Sequence, residues 1–326
     1  MYNVVSLFCG CGGADLGTVG DFEFNKIKYK KHPCKLVFSC DIDQKALDTY
    51  KLNFKSDDVV CKDVCELASE SVPPCDILTG GFPCQSFSTV NPTKDPFDDR
   101  ANLYKQMVRI VDAKNPKVFI AENVKGFMTL HKGQIFQKVI HAFEKAGNKG
   151  GYTVFPKLIN AADYGVPQKR ERVIMVGIRN DIYEEKGKFT FPSPTNEGNW
   201  VPLSVAVPKL AIDNQRYYFS EKAVQGMKNA KNNMKRGLAQ NLDEPCLTVT
   251  SHLAKVSLNS RDPVLLVNPD KELYRRFTPR EAARIQSFPD SFEFAGSEAC
   301  AYRQIGNAVP PVMFWHIINS VVEYLK

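Results

Sequence analysis

Short apolar runs alternate with amphipathic helical patterns through roughly the first half of the chain, and this alternation restricts the fold more than any other feature. Apolar runs of about four to eight residues that end in glycine, proline or an acid are typical of buried strands, whereas apolar residues spaced at a helical period indicate helices. Strands that alternate with helices predict an α/β fold with a mostly parallel sheet and right-handed crossovers. The predicted strands are 4–8, 36–41, 76–82, 117–124 and 172–179, and the predicted helices are 44–54, 102–116 and 133–147.

The alternation stops near residue 185, where prolines cluster and polar and basic residues become frequent. Short β-like runs follow at 246–251 and 263–267, and the final segment, 312–325, has a strongly apolar helical pattern. We expect this last helix to pack back onto the first core, because an apolar helix must bury its surface. The sequence therefore predicts a second, smaller and irregular β-containing domain. The predicted domains are 1–185 together with 298–326, and 186–297.

Composition and charge limit the classes of function. The formal net charge is +7, which favours an anionic partner such as a nucleic acid. No apolar run reaches the roughly 20 residues that span a bilayer, and the N-terminal stretch lacks the pattern of a signal peptide. The ten cysteines and five histidines lack the spacing of metal ligands. We therefore expect a chain of the reducing cytosol, without a membrane span and without a metal site.

A glycine loop, "CGCGG", follows the first predicted strand, and Asp41 ends the second. This order is the plan of a doubly wound nucleotide site, in which glycines admit the ligand and the acid binds a ribose. The loop lacks the G-x-G-x-x-G spacing that cradles a pyrophosphate, so it favours an adenosine ligand without one. The basic segment 20–35, between the loop and the second strand, is predicted to be a solvated surface excursion.

Cys84 of "GGFPCQSFS" follows the third predicted strand, at the edge of the sheet where α/β proteins place their chemistry. Pro83 restricts the backbone before it, and a long loop, 85–101, comes after it. These features favour a nucleophile over a buried structural cysteine. Glu122 of "AENV" ends the next strand and is a candidate to share a proton with a bound heterocycle.

The segment "PQKRERV", 167–173, concentrates cations around the start of another strand. Alternation along a strand predicts that Arg170 and Arg172 point the same way, which suits recognition of a phosphate or a carbonyl. A solvated run of charges is the alternative interpretation.

These motifs together resemble those of the DNA (cytosine-5) methyltransferase family, of the bacterial restriction-modification type. The resemblance covers most of the chain, and the motifs occur in the family's order. It implies a Rossmann-like S-adenosylmethionine-dependent methyltransferase domain and a target recognition domain. The motifs are "FCGCGGADLG" (8–17), "GFPCQSFS" (81–88), "ENV" (122–124), "QKRERV" (168–173), "RRFTPREAARIQSFPD" (275–290) and "QIGNAVPP" (304–311).

The resemblance also implies a catalytic role for several residues. A cytosine flipped out of duplex DNA would be attacked at C6 by Cys84, and its C5 would receive the methyl group of S-adenosylmethionine. Glu122 would bind the ring nitrogen N3 and the amino group, while Arg172 would bind the carbonyl. Arg170 belongs to the same catalytic motif and, like Gln168, would hold a phosphate or a loop.

The implied contacts to cofactor and DNA follow from the same motifs. Gln85 would help to fill the gap that the flipped base leaves in the duplex. The implied cofactor contacts are Phe8, Gly10, Cys11, Gly12, Gly13, Asp41, Ile42, Asp63, Val64, Gly81, Pro83, Leu103, Asn307 and Ala308. The implied DNA contacts are Gln85, Ser86, Ser88, Gln168 and Thr248.

The implied partner is duplex DNA, with a possible cognate restriction endonuclease that acts on the same site. The chain is expected to act as a monomer in the bacterial cytosol or nucleoid. Three alternatives stay open: a cytosine-5 methyltransferase acting on RNA, a catalytically silent nucleic-acid binder, and a thiol redox protein. The long variable region favours duplex DNA over RNA. The presence of Cys84, Glu122 and Arg172 disfavours the silent binder, and the lack of a resolving cysteine near Cys84 disfavours the redox protein.

Overall fold

The computed structural model describes residues 1–54, 58–83, 103–229, 239–255 and 262–326. Within these ranges strands and helices alternate along the first half of the chain, as predicted. The strands are β1 (Tyr2–Leu7), β2 (Phe22–Phe24), β3 (Ile27–Tyr29), β4 (Cys34–Asp41), β5 (Val59–Cys61), β6 (Ile77–Gly80), β7 (Val118–Val124), β8 (Tyr152–Asn160), β9 (Gln168–Lys169), β10 (Glu171–Arg179), β11 (Cys246–Leu247), β12 (Leu265–Asn268) and β13 (Leu273–Arg275). The helices are α1 (Gly13–Val19), α2 (Gln44–Asn53), α3 (Leu103–Lys114), α4 (Gln134–Glu144), α5 (Asn180–Lys186), α6 (Glu221–Lys228), α7 (Pro279–Ile285), α8 (Glu298–Asn307) and α9 (Pro311–Leu325).

Seven strands form the central sheet, in the order β5–β4–β1–β6–β7–β10–β8. The strands from β5 to β7 are parallel to one another, so the sheet is mainly parallel, as the alternation predicts. Each strand predicted in the first half of the chain is present, with its ends moved by one or two residues. Their apolar side chains supply two of the three main core clusters, one on each face of the sheet.

The last two strands of the sheet differ from the prediction. β8 was not predicted, because Pro156 and Lys157 interrupt its apolar pattern. The proline is tolerated because β8 lies at the edge of the sheet, where one side of the strand needs no donor. β10 runs antiparallel to both β7 and β8. The connection from β8 to β10 is short and stays at one end of the sheet, so the chain must reverse its direction.

The carboxyl ends of the parallel strands meet at one edge of the sheet. β1 ends at Leu7, which lies beside Cys40 of β4 and Gly80 of β6. β10 begins at the same edge, because Arg172 lies opposite Val124 at the end of β7. The glycine loop, the "ENV" motif and the start of "QKRERV" are therefore neighbours.

The terminal helix α9 packs beside α1, which confirms the predicted return of the last segment to the first core. A Cβ on Gly17 would lie 2.6 Å from the carbonyl oxygen of Pro311 and 2.8 Å from the amide nitrogen of Trp315. The two helices can approach this closely because Gly17 has no side chain. Within the described ranges, no helix is both long and apolar enough to cross a membrane.

The basic segment 20–35 is not the fully solvated excursion that the sequence predicts. It contains the antiparallel hairpin β2–β3, and Phe22, Phe24 and Tyr29 bury their rings against the core. The aromatic residues alternate with charged ones, a pattern typical of half-buried strands that the number of lysines obscures. The charged side chains of this segment are exposed, together with Ile27.

The described part of segment 186–297 consists of short helices, turns and two-stranded pairings. β11 pairs with β9, so this segment is joined to the "QKRERV" motif. Leu203, Val249 and Phe277 belong to an apolar cluster that also contains Leu47 and Tyr50 of α2. Where it is described, the segment thus packs against the first part of the chain, and its status as a separate domain stays a prediction.

Candidate functional site

A cavity of about 460 Å³ opens at the edge of the sheet where the motifs meet. Its walls come from the glycine loop, the ends of β4, β6 and β7, the "QKRERV" motif and the connection between α8 and α9. This volume lies in the range of about 300–1,000 Å³ that is usual for small-molecule sites. The predicted cofactor residues in its lining are Phe8, Gly10, Cys11, Gly13, Asp41, Ile42, Asp63, Val64, Gly81, Pro83, Leu103, Asn307 and Ala308.

Gly12 is the one predicted cofactor residue that is absent from this lining. It precedes α1 with a φ of 91°, in the left-handed region. A Cβ on Gly12 would lie 2.3 Å from the ring of Phe54. Gly12 therefore allows the turn to pack against the end of α2, which is a structural reason for its presence in the motif.

Asp41 holds the floor of the cavity together. Its Oδ2 accepts a hydrogen bond from the amide of Gly10 at 2.8 Å, and its Oδ1 accepts one from the amide of Asp43 at 2.9 Å. Burial raises the pKa of Asp41, and these backbone donors oppose the rise. The carboxylate thus fixes the glycine loop, and each oxygen retains a lone pair for a ligand hydroxyl.

Beside Asp41, the cavity combines a second acid with an apolar surface. The Oδ1 atom of Asp63 accepts a hydrogen bond from the amide of Cys65 at 2.9 Å, which orients the carboxylate at the lining. Ile42 is 69% exposed at the rim although it is a large apolar residue. An apolar face beside a carboxylate suits a heterocycle that carries an amino group.

Glu122 and Arg172 form an ion pair in the wall of the cavity, with 2.9 Å between Oε1 and Nε. The two side chains are only 15% and 13% exposed. Burial lowers the pKa of Arg172, and the carboxylate of Glu122 opposes that shift. The pair therefore presents an acceptor and a donor side by side in a poorly hydrated place, where such groups interact strongly with a ligand.

The backbone next to the predicted nucleophile is held by Asn123. Its side-chain amide donates to the carbonyl oxygen of Phe82 at 3.0 Å, and its Oδ1 accepts from the amide of Val124 at 2.8 Å. A Cβ on Gly81 would lie 3.0 Å from Oε2 of Glu122, so this glycine leaves room for the carboxylate. The predicted residues Cys84, Gln85, Ser86 and Ser88 lie outside the described residues.

Arg170 and Gln168 are buried and bind backbone loops. The guanidinium of Arg170 donates to the carbonyl oxygens of Val249, Gly306 and Ala308 at 3.0–3.1 Å, and burial strongly lowers its pKa. Gln168 accepts from the amide of Val249 at 2.9 Å. It also donates to the carbonyl oxygen of Ile285 at 3.2 Å and to Gln286 at 2.5 Å.

These hydrogen bonds occupy the amide of Gln168, whose side chain is fully buried, so in this conformation it has no surface for DNA. The terminal nitrogens of Arg170 bind carbonyl groups of two loops, which favours the loop alternative over a phosphate, although its Nε has no partner among the described residues. Thr248, by contrast, is half-buried, and its hydroxyl donates to the carbonyl oxygen of Lys169 at 2.9 Å. The predicted DNA contact Thr248 is therefore anchored directly to the "QKRERV" motif.

Sequence reasoning missed residues that bring α8 to the cavity. Arg303 forms an ion pair with Asp43 at 3.1 Å, and both line the cavity. The side-chain oxygen of Gln304 accepts from the hydroxyl of Thr49 at 2.6 Å, and its nitrogen donates to the carbonyl oxygen of Lys45 at 3.1 Å. The position of Gln304 within "QIGNAVPP" was a usable signal, whereas no local pattern marks Thr49.

Asp15 lies beneath the glycine loop, in the first turn of α1, and is fully buried. Neither of its carboxylate oxygens has a hydrogen-bond partner among the described residues. Burial raises the pKa of Asp15 to about 6, although the hydroxyls of Ser6 and Tyr50, which lie nearby without the geometry of a hydrogen bond, oppose this rise. The sequence gives no warning of this, because an acid in the first turn of a helix is usually exposed.

Comparison with known proteins extends these observations. The model of the C-5 cytosine-specific DNA methylase family matches residues 2–323. The Type II methyltransferase M.NgoFVII of Neisseria gonorrhoeae is 35% identical over 99% of this chain and 85% of its own length. The Type II methyltransferase M.NlaX of Neisseria lactamica is 33% identical over 100% of this chain and 96% of its own length.

A solved structure supports the fold independently. The Dnmt2 methyltransferase of Schizosaccharomyces pombe superposes with a TM-score of 0.74 at 19% identity and covers 100% of both chains. At this identity the likeness concerns the fold alone.

Proposed function

We propose that this chain, which belongs to the C-5 cytosine-specific DNA methylase family, methylates C5 of a cytosine within a specific duplex DNA sequence. The methyl donor would be S-adenosylmethionine. The target cytosine would be flipped into the cavity, because C5 and C6 cannot be attacked from within the base stack.

The observation that carries this proposal is the ion pair of Glu122 and Arg172. The Watson–Crick edge of cytosine presents an amino donor, the ring nitrogen N3 and a carbonyl acceptor in a row. Glu122 can accept from the amino group and share a proton with N3, while Arg172 donates to the carbonyl oxygen. Their separation of 2.9 Å keeps these functions adjacent, and their low exposure strengthens both contacts.

The residues around the cavity fit S-adenosylmethionine by their chemistry. Asp41 offers acceptors for the ribose hydroxyls, Asp63 accepts from an amino group, and Ile42 provides an apolar face for a purine ring. Gly10 leaves open space in the cavity wall, since a Cβ on this residue would have no atom within 4 Å. When bound, the cofactor supplies an electrophilic methyl group.

The chain's own residues would perform the rest of the reaction. The thiolate of Cys84 forms a bond to C6, and electron density moves through the ring towards N3 and C5. A proton shared with Glu122 at N3 stabilises that density, as does the hydrogen bond from Arg172. After C5 has gained the methyl group, a base removes the C5 proton. The electron pair of that C–H bond re-forms the double bond and expels Cys84 as a thiolate.

Asn123 would hold the attacking residue in place. Its hydrogen bond to the carbonyl oxygen of Phe82 fixes the backbone two residues before Cys84. A nucleophile that is already oriented loses little freedom as the reaction begins, which lowers the activation barrier.

We assign recognition of the DNA sequence to segment 186–297, which would form the smaller domain beside the larger one of 1–185 and 298–326. Thr248 supports this assignment, since its hydrogen bond to the "QKRERV" motif brings it near Glu122 and Arg172. A single chain would bind one duplex in the bacterial cytosol, and a restriction endonuclease of the same specificity would be its partner.

The experiment that tests the function supplies tritium-labelled S-adenosylmethionine with duplex DNA or transfer RNA in parallel. We expect labelled C5 in the duplex, and sequencing at single-base resolution would identify the site. Labelling of RNA alone would exclude the DNA function.

Duplex DNA with 5-fluorocytosine at that site should then trap the chain covalently, because fluorine cannot be removed as a proton. The Cys84→Ser variant is the matched control. Equal trapping of both proteins would contradict the role of Cys84.

A further inference from the structure

The basic hairpin, residues 20–35 with strands β2 and β3, has no part in the site described above. It contains five lysines against two acidic residues. All five lysine side chains are exposed, and none makes an ion pair or a side-chain hydrogen bond with any residue that the structure describes. They are Lys26, Lys28, Lys30, Lys31 and Lys35. Asp21 and Glu23, which lies opposite Lys28 in the hairpin, offset only part of their mutual repulsion.

The hairpin is nevertheless a fixed scaffold. Phe22 and Tyr29 stack at 4.9 Å between ring centroids, and Tyr29 meets Trp315 of α9 edge-on at 5.4 Å. The indole of Trp315 donates to the carbonyl oxygen of Lys30 at 2.8 Å and stacks on His32 at 5.0 Å. A solvated loop does not need buried aromatic rings beneath it. The lysines are therefore presented from a rigid support, which lowers the entropy that binding must remove.

The turn of the hairpin is also well defined. Asn25 and Lys26 both have positive φ, 48° and 61°, which is the pattern of a type I′ turn between two antiparallel strands. This turn places Lys26 at the tip of the hairpin. Lys28 lies on the outer face, since the side chains before and after it in the strand alternate with it.

The basic hairpin leads into the start of β4, at the end of the sheet opposite the site, but the side chain of Tyr29 extends towards the edge that carries the site. A Cβ on Gly165 would lie 3.8 Å from the hydroxyl oxygen of Tyr29. Gly165 ends the turn that follows β8, and β8 leaves the sheet where Asn160 pairs with Glu171, next to Arg172. The turn continues into the "QKRERV" motif, so the stretch of chain that approaches Tyr29 also carries Arg172.

We infer that the basic hairpin binds the phosphate backbone of duplex DNA outside the recognised sequence, and this inference rests on the proposed function. Lysine ammonium groups are point charges that contact phosphates without reading bases. A duplex advances about 3.4 Å per base pair, so a flank of about ten base pairs extends some 34 Å from the flipped cytosine. The hairpin therefore adds affinity that depends on duplex length and salt but not on the sequence of the flank.

The test compares Lys26→Gln/Lys28→Gln with the control Lys145→Gln/Lys149→Gln. The control removes the same charge from two exposed lysines between α4 and β8, next to the edge strand and away from the site. Binding is measured by fluorescence anisotropy on a duplex of about 30 base pairs and on one of about 12, across a salt titration. Each lost phosphate contact lowers the slope of log K against log salt by about 0.9.

We expect the hairpin variant to lose about tenfold in affinity for the long duplex and one to two units of slope, with the short duplex and the control unchanged. Lys26→Arg/Lys28→Arg should restore binding, because the charge returns. A hairpin variant that binds the long duplex as the control does would overturn the inference. Equal losses on both duplexes would also overturn it, as would a lowered melting temperature that accounts for the loss.

The outcome for the proposed function is read separately. If wild-type protein methylates duplex DNA and the hairpin variant binds normally, only the hairpin inference fails. If wild-type protein does not methylate duplex DNA at all, the proposed function fails, and no binding result for the hairpin can rescue it.

Discussion

Replacing the buried acid Asp15 by asparagine should stabilise the protein above pH 6 and leave it nearly unchanged at low pH. Asp15 is fully buried beneath the glycine loop, and neither of its oxygens has a partner among the described residues. Asparagine has almost the same shape and carries no charge. The substitution Asp15→Asn thus removes the cost of a buried carboxylate without creating a cavity.

The magnitude follows from the pKa of Asp15, which burial raises from 3.8 to about 6. Between these two values the folded protein binds more protons than the unfolded chain does, so the free energy of unfolding falls as pH rises. A rise of about two units corresponds to about 3 kcal/mol once pH exceeds 6. The amides at the start of α1 favour the charged form by up to about 1 kcal/mol, which reduces this cost. We therefore expect Asp15→Asn to gain about 2–3 kcal/mol at pH 7.

The assay is urea unfolding followed by circular dichroism at intervals from pH 4.5 to 7.5. Asp58→Asn is the matched control, because Asp58 is exposed and makes no side-chain hydrogen bond with a described residue. The difference in unfolding free energy between Asp15→Asn and wild type should grow through this range and level off above pH 6. A difference that does not change with pH, or a loss of stability at pH 7, would refute the argument that Asp15 is buried without a partner.

Three further substitutions test the site and its support. Glu122→Gln should lower the rate of single-turnover methyl transfer at least about a hundredfold, while the cofactor affinity measured by calorimetry stays within about twofold of wild type. An equal loss of cofactor affinity would show that Glu122 has a structural role. Arg170→Met should lower the free energy of unfolding in urea by about 2–4 kcal/mol, because carbonyl oxygens that it binds lose their donor; no change would mean that water replaces it. Gly17→Ala should lower the free energy of unfolding by about 1–3 kcal/mol, since the new Cβ would lie within 3 Å of backbone atoms of α9. In the control Gly126→Ala, the new Cβ would have no atom within 4 Å. Equal effects of the two substitutions would argue against close packing of α1 and α9.

The placement of the candidate site was largely predictable from local sequence. The glycine loop, Asp41, Glu122 and Arg172 each follow or begin a predicted strand, and strands that alternate with helices bring such positions to one edge. Their meeting around one cavity therefore needed no knowledge of side-chain contacts. Gly12 shows the limit of motif reasoning, because it belongs to the same loop but faces Phe54 instead of the cavity.

Elements without a clean local pattern escaped prediction. β8 was missed because an edge strand can carry Pro156, and the antiparallel direction of β10 depends on which neighbour it pairs with. The lysines of the basic segment 20–35 predicted a solvated excursion. Its buried rings became apparent only beside Trp315, which is almost three hundred residues further along the chain.

The sequence by itself determined the alternation of strands and helices, the order of the motifs and the edge of the sheet where they meet. Those properties follow from side-chain periodicity and from glycine and proline positions, which act over a few residues. Only the tertiary structure decided what Arg170 and Asp15 touch. Arg170 binds the carbonyl oxygen of Gly306, 136 positions away, and Asp15 is covered by residues from separate elements. Burial and hydrogen-bond partners arise when distant segments pack together, so no local pattern could have specified them.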